Sequence, residues 1–561
     1  MNEDYEIEEF APWLVIIITL IGGFLRVLLL NNKGLWLEET FSVWVSSHSV
    51  VEMLQWIARI DQHPPLYYLL LHYWITLTGD GPYYVRLLSA LFGAATIPMI
   101  YLIGKRLSGV GMGLAAAVIL TLSPFNIRFA QETGMYTLLT FNAAVAIYAL
   151  VRLLTDSRSI EPIGSQFREY LHAWRRTGLV EPDTEGDFSY KIEFHNQNGL
   201  RTRILRHHWL PIQTIETDLA WVAFIVFSAA TMLSHNTAVL FPLATNIFVL
   251  GLMLFQRKKR SRPAHALQAP SFLSWVKAQI GIFLLWSPWI FVFIKQVSRI
   301  YQEFWLPKPT WETVIQTIRS FLNETTLIQP SQVMLIWILY AVLICLGLVH
   351  FRKNISRFLF LAVLFAIPFL GELFVTIRRP IFLDRTLIWT TIPLFLVLAA
   401  GIAQLRFRLL IILVLGILAT INLFSTGDYY KFAQKEDWSN PAGFVANFAK
   451  KDDLILFNAS WVQIPFDYYF NTYEKLYSIQ VEKHGVPVDM FDSGVLEPKM
   501  TDSDIPKLIS LLSGHKRVWL VYSHNANTDP IGLIPQTLAS VMKLIYTRDF
   551  YGVQVQIYGA P

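Results

Sequence analysis

The sequence contains few charged residues and a single cysteine. Only 16% of its 561 residues are Asp, Glu, Lys or Arg, whereas soluble proteins carry about 25%. The one thiol, Cys345, excludes a disulfide framework and a metal site built from cysteines. The net charge of +5 is small and dispersed, so nothing indicates a nucleic-acid partner. Because 54% of the residues are hydrophobic, the composition predicts a polytopic α-helical membrane protein.

The chain is rich instead in apolar runs long enough to cross a bilayer. A spanning helix needs about 17–25 apolar residues, and about eleven runs approach that length. The predicted spans are 12–30, 83–104, 109–126, 135–153, 219–234, 237–255, 272–294, 332–350, 357–376, 386–403 and 408–424. Acidic residues precede the first run and no small-residue cleavage site follows it, so we expect a retained span and not a removable signal peptide.

Lysine and arginine clusters predict the orientation of the spans. The clusters fall in alternate loops, and loops of this kind face the cytoplasm. The amino terminus is then cytoplasmic, as is the polar insertion 155–217, to which we assign no chemistry beyond contact of its arginines with anionic headgroups. The segments expected on the extracytoplasmic side are 31–82 with its interfacial helices, 127–134, 295–331, 377–385 and everything after 425.

After Asn422 the composition changes to short strand-like and helix-like stretches in alternation. Such alternation is typical of an α/β domain. The predicted strands are 453–458, 475–480, 517–522, 542–547 and 553–558, and the predicted helices are 440–450, 502–513 and 533–541. The sequence therefore predicts a transmembrane module over 1–425 and a soluble extracytoplasmic α/β domain over 426–561. No glycine-rich phosphate fingerprint opens its helices, so a nucleotide site is not predicted.

Chemically active side chains gather in the segments expected outside the membrane. Glu38 and Glu39 follow Trp36 just beyond the first span, at a depth where ionised groups are costly to bury. An aromatic, proline-rich segment comes next and is expected to lie along the interface. The other candidates are Asp61, His63 and Arg86 near that segment, Arg128, Gln131, Glu132 and Tyr136 between spans three and four, His235 between spans five and six, and Arg378, Arg379, Asp384 and Arg385 between spans nine and ten.

Carboxylates beside several arginines at a membrane face suit transfer from a lipid-linked phosphate. A carboxylate can accept a proton from an attacking hydroxyl, and guanidinium groups can hold a departing phosphate. Three arginines within residues 378–385 run against the positive-inside bias and indicate an anionic ligand, although each alone also suits anchoring of a helix end. His63 suits a structural histidine as well as a ligand. His235 can bind a substrate or, with Glu39 or His63, a divalent metal, which stays open at this point.

Together these residues resemble the membrane glycosyltransferases of the GT-C class. The likeness is to the bacterial glycosyltransferase 39 family, which is related to protein O-mannosyltransferases and the lipid A aminoarabinose transferase, and it covers roughly residues 10–425. The motifs that carry it are Trp36 with Glu38 and Glu39, His63-Pro64-Pro65-Leu66-Tyr67-Tyr68, Arg86, Gln131-Glu132 with Tyr136, Ser234-His235-Asn236 and Arg379-Pro380-Ile381-Phe382-Leu383-Asp384-Arg385.

The resemblance implies an inverting transfer of a sugar from a polyprenyl-phosphate donor to an acceptor hydroxyl on the outer face of a bacterial cell membrane. The acceptor stays open between protein, lipid and polysaccharide. In the family, the first acid of the pair is usually Asp and acts as the base. This chain has Glu38 there, which leaves Glu38 and Glu39 as alternative bases.

The resemblance also assigns roles to the remaining polar residues. It implies that Glu132 holds the sugar or the acceptor, and that Arg86, Arg379 and Arg385 grip the lipid phosphate. Relatives often carry an arginine before the tyrosine of the turn between spans three and four, where this chain has Gly134-Met135. Arg128 is the substitute contact that we expect.

Two other classes of protein fit part of the pattern. A glycolipid flippase or transporter also predicts many spans and buried charges, but it does not predict an acid pair beside arginines on one face. Inverted repeats, which would support a transporter, are not evident in the sequence. An assembly factor that has lost catalysis is favoured only by the replacement of the family's Asp by Glu38.

Overall fold

The chain folds into a bundle of long helices, several short helices at one end of it, and a small mixed sheet. The computed structural model describes residues 2–61, 63–156, 189–196, 199–206, 212–258, 266–303, 309–323, 330–378, 381–477, 480–489 and 498–560. The helices are α1 Asn2–Val27, α2 Leu37–Ser46, α3 Val50–Ile60, α4 Leu66–Thr78, α5 Pro82–Ser108, α6 Val110–Leu122, α7 Pro124–Ala130, α8 Tyr136–Thr155, α9 Ile212–Ser234, α10 Leu240–Lys258, α11 Phe272–Trp286, α12 Ile290–Glu303, α13 Trp311–Leu322, α14 Pro330–Phe351, α15 Ile355–Thr376, α16 Thr391–Ala403, α17 Arg408–Phe432, α18 Ser439–Phe448, α19 Gln463–Tyr477, α20 Ile505–Leu512, α21 Asn525–Thr528 and α22 Leu533–Val541. The strands are β1 Ser189–Asn196, β2 Gly199–Arg206, β3 Leu454–Asn458, β4 Glu482–Val486, β5 Arg517–Tyr522, β6 Lys543–Phe550 and β7 Val553–Gly559.

The long helices match the apolar runs of the sequence. Within the described residues, ten helices are long and apolar enough to cross a bilayer, and the bent pair α6 and α7 adds an eleventh if it counts as one span. The prediction of about eleven spans is confirmed. A chain segment in lipid has to satisfy its backbone polar groups internally, which is why the apolar runs fold as helices. The last span is longer than expected, since α17 continues to Phe432. Most of the insertion 155–217 lies outside the described residues; its described centre is the antiparallel hairpin β1–β2.

A break between α6 and α7 changes the direction of the chain. Pro124 has no N–H to donate, and the chain bends there by 59°. Arg26 of α1 is buried at the break and donates to the carbonyl oxygens of Leu120 and Thr121 at 3.0 and 3.3 Å. The guanidinium thereby satisfies carbonyls that a broken helix leaves inside the bundle. The chain then runs through residues 131–135 into α8.

Three short helices, α2, α3 and α4, connect α1 to α5. The start of α3 is fixed by Ser49, whose Oγ accepts a hydrogen bond from the Glu52 N–H while the Glu52 carboxylate accepts from the Ser49 N–H. The end of α4 is fixed by Gly79, whose φ of 89° suits glycine. The segment between the first two spans is thus helical over most of its length.

The carboxyl-terminal part contains a five-stranded sheet in the order β4-β3-β5-β7-β6. Strands β4, β3 and β5 are parallel, and β7 and β6 are antiparallel to their neighbours. Successive residues of β5 point to opposite faces of the sheet, so Trp519 lies in one apolar cluster and Leu520 in another. The α/β prediction is confirmed for this part of the fold.

One predicted strand, 475–480, is wrong. The chain is helical up to Tyr477 as the end of α19, and the strand of this region is β4. The aromatic residues of α19 favour a strand by propensity. Their spacing decides otherwise, because Phe466 and Phe470 lie four residues apart and stack at 4.9 Å on one helix face.

Candidate active site

The acidic pair opens α2, which directs its two carboxylates to different surroundings. The helix begins at Leu37 after the extended residue Trp36, so Glu38 and Glu39 lie in its first turn. Successive residues of a helix point about 100° apart. Glu39 therefore faces the interior with 1% of its side chain exposed, whereas 39% of the Glu38 side chain is exposed.

Glu39 is enclosed by hydrogen-bond donors. Arg86 binds both carboxylate oxygens, with Nε 2.7 Å from Oε1 and Nη2 2.6 Å from Oε2. The Thr133 N–H donates to Oε1 at 2.9 Å, and Lys435 Nζ lies 3.3 Å from Oε2. Burial alone would raise the pKa of Glu39, but the charges of Arg86 and Lys435 and these hydrogen bonds lower it to about 2. So enclosed and so acidic a carboxylate is a poor proton acceptor, and the geometry favours Glu38 over Glu39 as the base.

Arg86 is also fully occupied. It is buried, its Nη1 donates to the carbonyl oxygens of Leu30 and Lys33, both at 2.7 Å, and its Nη2 donates to the Gly34 carbonyl at 2.8 Å. Every guanidinium nitrogen has an acceptor within the protein, so the described contacts do not support the expected grip of Arg86 on a lipid phosphate. Arg86 instead ties the segment 30–34 to α5 and holds Glu39 beneath the site.

Glu38 pairs with an arginine from a distant part of the chain. Arg385 Nη1 lies 2.6 Å from Glu38 Oε2, and 21% of the arginine side chain is exposed. Arg385 begins the 3-10 turn Arg385–Thr390, where the Asp384 carboxylate accepts from the Arg385 N–H at 2.7 Å. The guanidinium lies 5.6 Å from the ring centroid of the buried Tyr136. The site therefore combines an accessible carboxylate with an accessible arginine, and Asp384 caps the turn that carries the arginine.

A second ionic group lies beside the first and contains a lysine that the sequence interpretation missed. Lys435 Nζ lies 3.3 Å from Glu39 and 3.4 Å from Glu132 Oε1, and the lysine is only 10% exposed. Arg128 Nε approaches the same Glu132 oxygen at 3.9 Å. Lys435 follows the end of α17 by three residues, and it lies in a segment that the sequence predicts to be outside the membrane, where a basic residue runs against the positive-inside bias. That signal was present in the sequence.

A histidine pair forms the third part of the site. His63 Nδ1 lies 2.9 Å from Asp61 Oδ1, and the His63 and His235 ring centroids are 5.2 Å apart. The Tyr136 ring lies 6.3 Å from the His235 ring, so a continuous line of side chains joins this pair to Arg385. Burial, followed by the charges of His63 and Arg385, lowers the pKa of His235 well below its ordinary value. His235 is therefore a neutral hydrogen-bonding group at physiological pH.

The metal site that the sequence left open has no complete ligand set in the described part of the chain. No group of three or more His, Cys, Asp or Glu side chains there converges as metal ligands. Glu39, one of the expected ligands, is engaged by Arg86. A divalent metal therefore stays a possibility that the described residues do not support, and no chemical step below is drawn through one.

Two further candidates differ from expectation. The Gln131 amide donates to the carbonyl oxygens of Arg26 and Leu28 at 3.3 and 2.6 Å, so it fastens the end of α1 and does not point to a substrate. Arg378 is exposed at the end of α15. Arg379 lies outside the described residues.

Comparisons with known proteins agree with this architecture. Residues 62–161 match the family described as dolichyl-phosphate-mannose-protein mannosyltransferase. No curated protein matches the chain by sequence.

The fold has solved counterparts at low sequence identity. ArnT from Cupriavidus metallidurans in the apo state shares 12% identity with a TM-score of 0.59, and alignment covers 97% of each chain. The same protein bound to undecaprenyl phosphate gives 10% identity and a TM-score of 0.56 with the same coverage. The archaeal oligosaccharyltransferase AglB from Archaeoglobus fulgidus, in complex with an inhibitory peptide and a dolichol-phosphate, gives 9% identity and a TM-score of 0.51 over 99% of this chain and 75% of that one. The chain therefore shares the GT-C fold of these solved structures, and its residues 62–161 are similar to the mannosyltransferase family.

Proposed function

We propose that the protein transfers a sugar from a polyprenyl-phosphate donor to an acceptor hydroxyl, with inversion, and that Glu38 is the base. The observation that carries the proposal is the 2.6 Å contact between Glu38 and Arg385 in a partly exposed position. An acceptor hydroxyl that approaches Glu38 can lose its proton to the carboxylate as its oxygen attacks the anomeric carbon. The bond from that carbon to the lipid phosphate breaks on the opposite side.

Arg385 is the residue that we expect to bind the departing phosphate. Its guanidinium is a planar multiple donor that matches phosphate oxygens. It also lies beside Glu38, so one residue can neutralise the phosphate and orient the base. His63, held by Asp61, is a second donor to the same anion, and Glu132 with Lys435 and Arg128 is positioned for the hydroxyl groups of the sugar or acceptor. Negative charge that develops on the leaving group is then met by fixed donors.

We further propose the location and the division of the chain. The family resemblance supports a bacterial inner-membrane protein, and the positive-inside pattern supports a cytoplasmic amino terminus and an active site at the extracytoplasmic face. The apolar cluster around Leu520 is built only from residues of the carboxyl-terminal part, which supports an extracytoplasmic α/β domain over 426–561 that follows a transmembrane module over 1–425. The cluster around Trp519 also contains Ile60, so the domain packs on the segment between the first two spans.

A transfer assay with purified protein in detergent tests the donor class. Radiolabelled polyprenyl-phosphate sugars are supplied one at a time, and sugar transfer or donor hydrolysis is measured. We expect turnover with at least one donor and its loss in Arg385→Ala. Glu312→Gln, which changes an exposed carboxylate on α13, is the matched control and should retain the rate. Equal rates in Arg385→Ala and the wild type would refute the assigned role of Arg385.

The same material discriminates the transporter alternative. Reconstituted vesicles with a labelled glycolipid on one leaflet report movement of the lipid without chemistry. Our proposal predicts transfer and no protein-dependent flipping. Flipping without transfer under every acceptor condition would overturn it.

A further inference from the structure

A buried acid lies behind the arginine of the site. Glu372 belongs to α15, four residues before the end of that span, and is 1% exposed. Its described neighbours are Thr386 in the turn that begins with Arg385, Thr237 in the turn that follows His235, and the backbone of Leu383. None of these described neighbours carries a positive charge. The carboxyl group thus sits between the two turns that present His235 and Arg385.

The hydrogen-bond geometry around Thr386 indicates how this acid is protonated. Thr386 Oγ1 lies 2.7 Å from Glu372 Oε2 and 2.8 Å from the carbonyl oxygen of Leu383. A hydroxyl group has one hydrogen to donate. If Glu372 were ionised, that single hydrogen would have to be shared between the two acceptors, which weakens both contacts.

A neutral carboxylic acid removes the conflict. Glu372 Oε2–H then donates to Thr386 Oγ1, and the Thr386 hydroxyl donates to the Leu383 carbonyl, so both short distances are satisfied. The other oxygen, Oε1, is also buried. Burial of both oxygens is far less costly for a neutral acid than for a carboxylate.

We propose that Glu372 is a protonated positioning residue that anchors the turn carrying Arg385 through the relay Glu372–Thr386–Leu383. The relay closes the turn between Leu383 and Thr386, and Arg385 is the residue inside it that extends toward Glu38. No described contact joins Glu372 to Glu38. Glu372 acts through the orientation of Arg385, and this role rests on the proposed function of that arginine.

The side-chain variants that test the relay differ in one hydrogen bond each. Glutamine at 372 retains a donor for Thr386 Oγ1, and serine at 386 retains the hydroxyl. We expect Glu372→Gln and Thr386→Ser to keep the wild-type KM for the lipid-phosphate donor within about twofold. Glu372→Ala and the nearly isosteric Thr386→Val should each raise that KM about tenfold, the effect of one lost hydrogen bond, with a smaller change in kcat.

Combination of the variants separates positioning from general damage. Because both residues act through one relay, Glu372→Ala with Thr386→Val should be no worse than either change alone. Independent structural damage would instead add. Loss of activity in Glu372→Gln equal to that in Glu372→Ala would overturn the proposal, as would wild-type kinetics in both Glu372→Ala and Thr386→Val.

Infrared spectroscopy tests the protonation without any donor. The wild-type protein at neutral pH should show the C=O stretching band of a protonated carboxylic acid, and Glu372→Gln should lack it. If no donor is turned over but this difference is present, the proposed function fails and the protonated relay stands. If turnover is normal and the band is absent from the wild type, the relay proposal fails alone.

Discussion

The buried pair of Glu39 and Arg86 gives a prediction whose size can be worked out in two ways. Replacement of Arg86 by leucine leaves Glu39 inside the protein without its main partner. Removal of one member of a buried ion pair costs about 3–5 kcal/mol. Independently, the shift of the Glu39 pKa from the ordinary 4.5 to about 2 corresponds to roughly 3 kcal/mol of stabilisation. That second value is the net of the cost of burial and of the contributions of Arg86, Lys435 and Thr133. It is of the same order as the first, and we expect Arg86→Leu to lower the free energy of unfolding by about 3–5 kcal/mol.

Reversible unfolding in mixed detergent micelles, followed by tryptophan fluorescence, measures this loss. Arg106→Leu is the control, because Arg106 lies on the same helix α5 but is exposed; it should change the free energy by no more than about 0.5 kcal/mol. The double change Arg86→Leu with Glu39→Leu should recover part of the loss, since it removes the unpaired charge. If Arg86→Leu matched Arg106→Leu, the assignment of Arg86 as the structural partner of Glu39 would be refuted.

Two further predictions concern the same ionic network. The pKa of Glu39 is lower in the folded protein, so the contribution of Glu39 to stability is complete above about pH 4.5 and is lost as the pH falls toward 2. Unfolding curves measured between pH 6 and 3 should reveal this loss. The double variant Arg86→Leu with Glu39→Leu should lack it. Lys435 lies between the carboxylates of Glu39 and Glu132. Loss of its charge-assisted contacts in Lys435→Met should lower the transfer rate by about 10- to 100-fold, whereas Lys435→Arg should retain most of the rate. Steady-state kinetics measure both rates. An unchanged rate in Lys435→Met would exclude the lysine from the site.

The membrane-spanning part of the fold could be predicted because a bilayer imposes one length and one composition on every span. The carboxyl-terminal sheet was predicted less completely. Strands β3 and β5 are almost entirely buried runs that the sequence marks clearly, whereas the helix α19 is rich in aromatic residues whose preference for strands misled the interpretation.

The candidate site could be predicted as a set of residues but not as a set of contacts. Glu38 and Glu39 are neighbours of the same type, and only the direction that α2 gives to each separates an accessible acid from a buried one. The partner of each comes from a different helix, Arg385 for Glu38 and Arg86 for Glu39. Pairings over 347 and 47 residues of sequence depend on tertiary packing, which a single sequence does not contain.

The most direct test of the account is the rate of a single turnover with the donor already bound. Wild-type protein and Glu38→Gln are loaded with a labelled polyprenyl-phosphate sugar, mixed with acceptor, and followed by rapid quenching. Glutamine keeps the size of the side chain and removes the base, so the account predicts a rate about 10²- to 10⁴-fold lower with donor affinity unchanged within a few-fold. Transfer by Glu38→Gln at the wild-type rate would contradict the assignment of Glu38 as the base.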